Sequence, residues 1–255
     1  MLGNVFFFIY FTPTMLNNLK TYLFLLVFVL AQTIQAQEIP TAYQFRIKPG
    51  TDKWRTFTTH QQMVDVCQIP EDTLKLLSTK ALLETCLSYP LRIDVFAYDN
   101  HVTGFNRTFQ RFNGYIELVS RPDFSNELFR YYQNIRISEA ETLPDLISKG
   151  GFSINLSLTE MFFGTAEFQK NTTINQKESV RILLSQYDFK KNYPDIYGSL
   201  GSVTTAYAII NLMSMDANTK EALKRDDFNL FKSQLIFTDD KLLLEIFSIA
   251  KTFIR

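Results

Sequence analysis

The amino-acid sequence predicts an all-α protein, an irregular array of about seven to ten short helices that follows a signal peptide and a short extended segment. Two observations predict this fold class. From Thr58 onward, apolar residues recur at three- and four-residue intervals, and Pro or Gly residues repeatedly interrupt the pattern. Hydrophobic residues make up 46% of the 255 residues, which is enough to build a core and excludes a disordered chain.

The first 36 residues are predicted to be a secretory signal peptide. Their single charged residue, Lys20, precedes an apolar run from Thr21 to Ala31 and a short polar stretch. The run is shorter than the ~20 residues of a membrane span. Cleavage is expected after Ala36, which leaves one helical domain over 37–255 in an exported protein.

Two alternatives concern the same segment. Residues 15–20 make an ordinary signal-peptide start by themselves, so translation is expected to begin at Met15 rather than Met1. The rival interpretation is an uncleaved signal anchor, which would tether the protein to a membrane. No Cys follows the apolar run closely, so the usual lipoprotein acylation is not expected.

The opening of the exported chain is predicted to be extended and to pack across a helical body. Residues 43–48 alternate apolar and polar side chains, as a strand does, and 49–52 carry a Pro-Gly turn signal. Residues 53–57 could form a return strand or irregular chain.

The helices that follow are predicted from apolar spacing and from capping residues. They run from Thr58 or Thr59 to about Cys67, over 71–77, from Ser78 or Thr79 to Leu87, from a cap in Ser120–Asp123 to Ile135, from Thr173 to about Phe189, over 200–213, and from about Thr238 to Phe253. A domain seam could fall at Lys149–Gly151 or at Gln169–Thr173, although a single domain is preferred.

Six short sequence segments in the first half of the chain resemble those of a known group of proteins. They are 48–51 with Trp54, 67–72, 78–82, 86–91, 104–105 and 112–118. Together they resemble a group of uncharacterised secreted proteins from Bacteroidetes-type bacteria. The resemblance implies a bacterial envelope or extracellular location and a helical body. It implies no catalytic residue.

Cys67 and Cys86 could form a disulfide. Each is predicted near the C-terminal end of a helix, with one short helix between them, so the two ends could point the same way. An exported protein can be oxidised, and a bridge closing this loop would stabilise by about 3 kcal/mol. The preferred alternative is two thiols buried in the core.

No catalytic, cofactor or metal site is predicted. The two histidines, His60 and His101, lack the spacing of zinc ligands and are expected at the surface or at helix caps. Residues 216–221 begin like a calcium loop but have Lys220 and Glu221 where a ligand and a glycine are needed, so they are interpreted as a turn between helices. Asp239 and Asp240 are expected to cap a helix.

Aromatic residues are abundant, and Tyr187, Tyr193 and Tyr197 could line a surface groove, although most such clusters belong to a core. With equal numbers of basic and acidic residues, 26 each, we expect no nucleic-acid partner. The leading functional hypothesis is a non-enzymatic module that binds an envelope protein or ligand. An envelope enzyme with an unfamiliar site is the runner-up, and membrane association is expected only if the N-terminal segment is retained.

Overall fold

A computed structural model describes residues 39–171, 174–236 and 239–255 of the chain. The all-α prediction is confirmed, because this part of the chain forms fifteen α-helices and one 3-10 helix and contains no strand. The predicted signal peptide, its cleavage point and Met15 lie outside the described residues. Residues Ile39–Arg255 form one compact unit.

The helices of the first half are short. They are α1 Asp52–Arg55, α2 His60–Val66, α3 Glu71–Leu76, α4 Thr79–Leu87, the 3-10 helix Arg92–Ala97, α5 His101–Phe109, α6 Asn113–Ser120, α7 Phe124–Gln133 and α8 Glu139–Thr142. The second half contains the long ones. They are α9 Leu146–Phe162, α10 Ala166–Asn171, α11 Gln176–Lys190, α12 Pro194–Met213, α13 Ala217–Lys220, α14 Asp226–Gln234 and α15 Asp240–Phe253.

The number of helices exceeds the predicted seven to ten. The difference comes partly from single turns such as α1, α8 and α13, each of four residues, which are too short to show a 3.6-residue period. In α1, the Thr51 side chain accepts a hydrogen bond from the Trp54 amide and starts a helical turn. The return strand considered for residues 53–57 is therefore wrong.

The opening segment packs across the helical body, as expected, but does not form a strand. Ile39 makes one isolated parallel bridge with Leu77. The Tyr43 amide donates to Thr85 Oγ1 at 2.8 Å, and the Phe45 side chain is buried in the core. The alternation of residues 43–48 therefore reflects inward and outward side chains along an extended chain without a partner strand.

Several predicted helix starts agree with the observed ones, but the helix predicted over 200–213 begins at Pro194, and the predicted starts at Thr173 and Thr238 lie outside the described residues. Thr59 caps α2 in a reciprocal capping box with Gln62, and Ser78 caps α4. Asp239 caps α15, with Asp240 in the first turn, as its charge favours. The cap predicted in Ser120–Asp123 is only partly right: α7 follows Asp123, whose carboxylate accepts a hydrogen bond from Thr79 instead of capping the helix.

The core surrounds α12, which packs against α9, α11 and α15. In the first half, the core is largely aromatic, and the Tyr89 and Phe112 rings stack with centroids 4.3 Å apart. The glycines at 150–151, considered as a seam, lie inside α9. No helix in the described ranges is long and apolar enough to span a membrane.

Candidate functional site

An open cleft with a volume of about 400 Å³ lies between α4, α7, α8 and α9, and is called the α4–α9 cleft below. Its apolar lining comes from Tyr131 on α7, Ile135 after that helix and Phe152 on α9. All three are partly buried and pack against the core while keeping one side towards the cleft. The floor of the cleft can therefore receive an apolar group.

Charged side chains of both signs complete the lining. The basic ones are Lys80, Arg130 and Arg136, and the acidic ones are Glu84, Glu127 and Glu139. They form three ion pairs between residues three or four apart in the chain: Lys80–Glu84 at 3.8 Å, Arg136–Glu139 at 4.0 Å and Arg130–Glu127. Burial, with a contribution from the nearby Glu84 carboxylate, raises the pKa of Tyr131. The lining can therefore contact a partner that carries both charges.

The start of α9 projects two large apolar side chains into solvent. Leu146 is 82% exposed and Ile147 is 88% exposed, the highest values among the large apolar residues described. The Asp145 carboxylate caps this end of the helix, accepting from the Ser148 amide at 2.7 Å, and that bond holds the pKa of Asp145 below its usual value. The exposed pair is thus held on an ordered helix, one and a half turns before Phe152.

Comparison with known proteins adds no assignment. No protein-family model matches the chain, and neither the curated proteins nor the solved structures compared with it gave a match. The case for function therefore depends on the chain's own geometry.

A second cluster of polar residues is fully buried between α7, α9, α11 and α12. Glu160 and Lys190 form an ion pair at 2.7 Å, and both side chains are essentially inaccessible, at 0% and 1%. The Tyr132 hydroxyl donates to Glu160 Oε1 at 2.7 Å, and the Thr204 hydroxyl donates to Oε2 at 2.6 Å. Four helices are joined through one carboxylate.

The ammonium group of this cluster is satisfied as well. Lys190 Nζ donates to Glu160, to the Gly201 carbonyl at 3.1 Å and to Thr205 Oγ1 at 2.9 Å, which uses all three of its protons. Burial lowers the pKa of Lys190, and Glu160 opposes that shift. Burial and Glu160 together raise the pKa of Tyr132.

The buried cluster has a structural role. None of its members lines any of the cavities described here, so a substrate has no access to it. A charge pair with complete hydrogen bonding fixes the register of the helices that carry it. The cluster is not predicted above, although Glu160 is the one charged residue in the largely apolar segment 156–163 and is the signal that the sequence offers for it.

The two cysteines are buried thiols, the preferred of the two predicted alternatives. Cys67 and Cys86 are both inaccessible and not joined to each other. Burial, with a smaller effect of the Asp94 carboxylate, raises the pKa of Cys67 to about 12, and burial raises that of Cys86. Neither thiol is therefore a nucleophile at neutral pH.

The three tyrosines proposed as a groove lie in different surroundings. Tyr197 is buried and its hydroxyl donates to the Ile137 carbonyl at 2.8 Å, so it cannot line a surface groove. Tyr187 stacks on Phe247 with ring centroids 3.6 Å apart. Tyr193 lines a separate depression with Glu141 and Lys149.

The histidines and the Asp216 turn occupy ordinary helix starts. His60 begins α2 and contacts Asp94 Oδ2 at 2.7 Å, and His101 begins α5, where burial lowers its pKa. Asp216 caps α13 and accepts from the Asn218 amide at 2.9 Å, which agrees with the predicted turn. Within the described ranges, no group of three or more His, Cys, Asp or Glu side chains could hold a metal ion.

Proposed function

We propose that this protein is a non-enzymatic interaction module that binds a segment of another polypeptide through the α4–α9 cleft. One observation carries the proposal: Leu146 and Ile147 are almost fully exposed on the same helix whose Phe152 lines an apolar-floored cleft. Large apolar side chains exposed on an ordered helix are a feature of protein interaction sites, and the cleft lined by the same helix offers a concave surface.

The charge pattern of the cleft indicates the kind of segment. Three basic and three acidic side chains line it, so a partner with a strong net charge of either sign gains little. A segment with two or three apolar side chains and charges of both signs fits best. The enzyme alternative has weaker support, because the strongly coupled ionisable groups at Glu160 and Lys190 are closed to solvent.

The proposal also places the protein in the bacterial cell envelope. Its support is the sequence pattern of Lys20, the apolar run and Ala36. N-terminal sequencing of protein recovered from the native cells tests it. A start near Gln37 is expected, whereas a retained leader would mean a membrane-tethered protein.

The binding surface is tested by removing its apolar pair. The double variant Leu146→Ser/Ile147→Ser should keep its thermal stability, since both side chains are already in water. In a pull-down from the native envelope, it should lose the partner that the wild type enriches. The partner is then purified and titrated, and we expect a loss of affinity of roughly tenfold or more.

A matched control exists on α15. Leu244 is also exposed, at 62%, but lies on a helix that does not line the cleft. Leu244→Ser should retain the partner. Retention of the partner by the α9 double variant, or its loss in both variants alike, would contradict the proposal.

A further inference from the structure

A smaller cavity, of about 270 Å³, lies between α5, the α9–α10 connection, α12 and α14. Its apolar lining comes from Val102, Phe105 and Met161. Its polar and charged lining comes from Asn106, Gln110, Thr165, Glu167, Tyr207 and Lys232. The volume is just below the ~300–1,000 Å³ of drug-sized sites, so the cavity suits a small molecule.

The two charged side chains of this cavity, Glu167 and Lys232, have no counter-ion among the described residues. Among the described residues, neither Glu167 nor Lys232 takes part in an ion pair. In this part of the chain, the one side-chain hydrogen bond of Lys232 Nζ is its donation to Ser214 Oγ at 3.4 Å. Burial alone lowers the pKa of Lys232, with no carboxylate opposing the shift. The ammonium group is thus partly desolvated without compensation, which a bound carboxylate would supply.

The carboxylate of Glu167 is placed similarly. Its neighbour is the Tyr115 hydroxyl, whose pKa is raised by burial and by Glu167. A phenol can donate one hydrogen bond but cannot neutralise the charge. A ligand ammonium group would find a partly buried anion here.

The Tyr207 hydroxyl is a further polar group of the lining. It forms no hydrogen bond with the described residues, although the Tyr207 side chain is 4% exposed and lines the cavity. The ring lies so close to the backbone of Gly164 that a Cβ atom there would be 2.4 Å from the hydroxyl oxygen. The position of Tyr207 therefore depends on a glycine at 164.

We propose that this cavity binds a free α-amino acid with an apolar side chain. The ligand carboxylate pairs with Lys232 and its ammonium group pairs with Glu167, while the apolar walls receive the side chain. Only a molecule that carries both charges compensates both protein groups at once. The proposal does not depend on the α4–α9 cleft, because the cavity has different lining residues.

Three probes with related alkyl chains test the proposal by isothermal titration calorimetry on the exported form of the protein. L-leucine carries both charges, 3-methylbutylamine only the ammonium group, and 4-methylpentanoate only the carboxylate. Saturable binding of L-leucine is expected, with each single-charge analogue weaker by roughly tenfold or more. L-methionine is a second zwitterionic probe.

Variants identify the residues. Lys232→Met and Glu167→Gln should each weaken the binding of L-leucine by roughly tenfold or more. Lys220→Met is the matched control, since Lys220 is an exposed lysine in the neighbouring surface depression that Lys232 also borders. It should leave the affinity unchanged.

Three results would overturn the proposal. One is the absence of saturable binding by both amino acids. Another is equal affinity for L-leucine and either single-charge analogue, which would mean a simple anion or cation site. The last is an equal effect of the Lys232 and Lys220 variants, which would place the ligand elsewhere.

Discussion

Two Glu–Lys combinations in this protein have opposite surroundings. Glu160 and Lys190 are in contact, fully buried and surrounded by hydrogen-bond partners. Glu167 and Lys232 line an accessible cavity without a counter-ion among the described residues. The same residue types thus stabilise the fold in one place and are available to a ligand in the other. What separates them is burial and the completeness of the hydrogen bonding.

The largest expected effect comes from breaking the buried pair. Lys190→Met leaves the Glu160 carboxylate buried without its cation, so the free energy of unfolding should fall by about 3–5 kcal/mol. Urea denaturation followed by circular dichroism measures this. The adjacent Lys191, in an exposed pair with Asp188 at 2.7 Å, is the matched control, and Lys191→Met should cost about 0–1 kcal/mol.

A double variant tests the same ion pair even if Lys190→Met does not fold. Glu160→Leu/Lys190→Met removes both charges together and should recover part of the lost stability, because no unpaired ion remains. Equal stability of the Lys190 and Lys191 variants would show that the buried pair does not stabilise the fold.

A smaller effect distinguishes one hydroxyl in each region. Tyr132→Phe removes a hydrogen bond to the Glu160 carboxylate and should cost about 1.5–3 kcal/mol. Tyr207→Phe removes a hydroxyl that has no partner among the described residues and should cost less than about 0.5 kcal/mol. The difference in urea midpoint between the two variants is the measurement. A larger loss of stability for Tyr207→Phe than for Tyr132→Phe would contradict this comparison.

The smallest expected change is in chemical accessibility. Burial lowers the pKa of both Lys190 and Lys232, so each has a larger neutral fraction at a given pH than an ordinary lysine. Only the amine of Lys232 borders a cavity. Acetic anhydride should therefore acetylate Lys232 in the folded protein and reach Lys190 only after unfolding, as peptide mass spectrometry would show. Equal labelling of both in the folded state would contradict the sealed cluster.

The sequence predicts the fold better than the sites. Capping residues such as Thr59 and Ser78 act on neighbours in the chain, so local reasoning finds them. Sequence periodicity does not predict the four-residue helices, because a single turn is too short to show a period. The buried cluster and the cavity lined by Glu167 and Lys232 both depend on contacts between distant segments. Glu160 and Lys190 come into contact, and Glu167 and Lys232 come to line one cavity, only in the folded chain.

The groove predicted from Tyr187, Tyr193 and Tyr197 illustrates the same difficulty. Their spacing is compatible with a shared surface, but Tyr197 points into the core and bonds the Ile137 carbonyl. Aromatic residues are frequent in both cores and binding surfaces, so residue type alone does not separate the two. The observed cleft is instead lined by Tyr131, Ile135 and Phe152, and helical periodicity does not distinguish these residues from core residues.

Gly164 has a consequence for recognising relatives of this protein. Since a Cβ atom at this position would lie 2.2 Å from a ring carbon of Tyr207, any other residue would displace that ring. The size of the cavity that Tyr207 lines therefore depends on the absence of a Cβ atom at position 164. A glycine aligned with 164, together with a tyrosine aligned with 207, is therefore the pattern by which chains with the same cavity can be recognised.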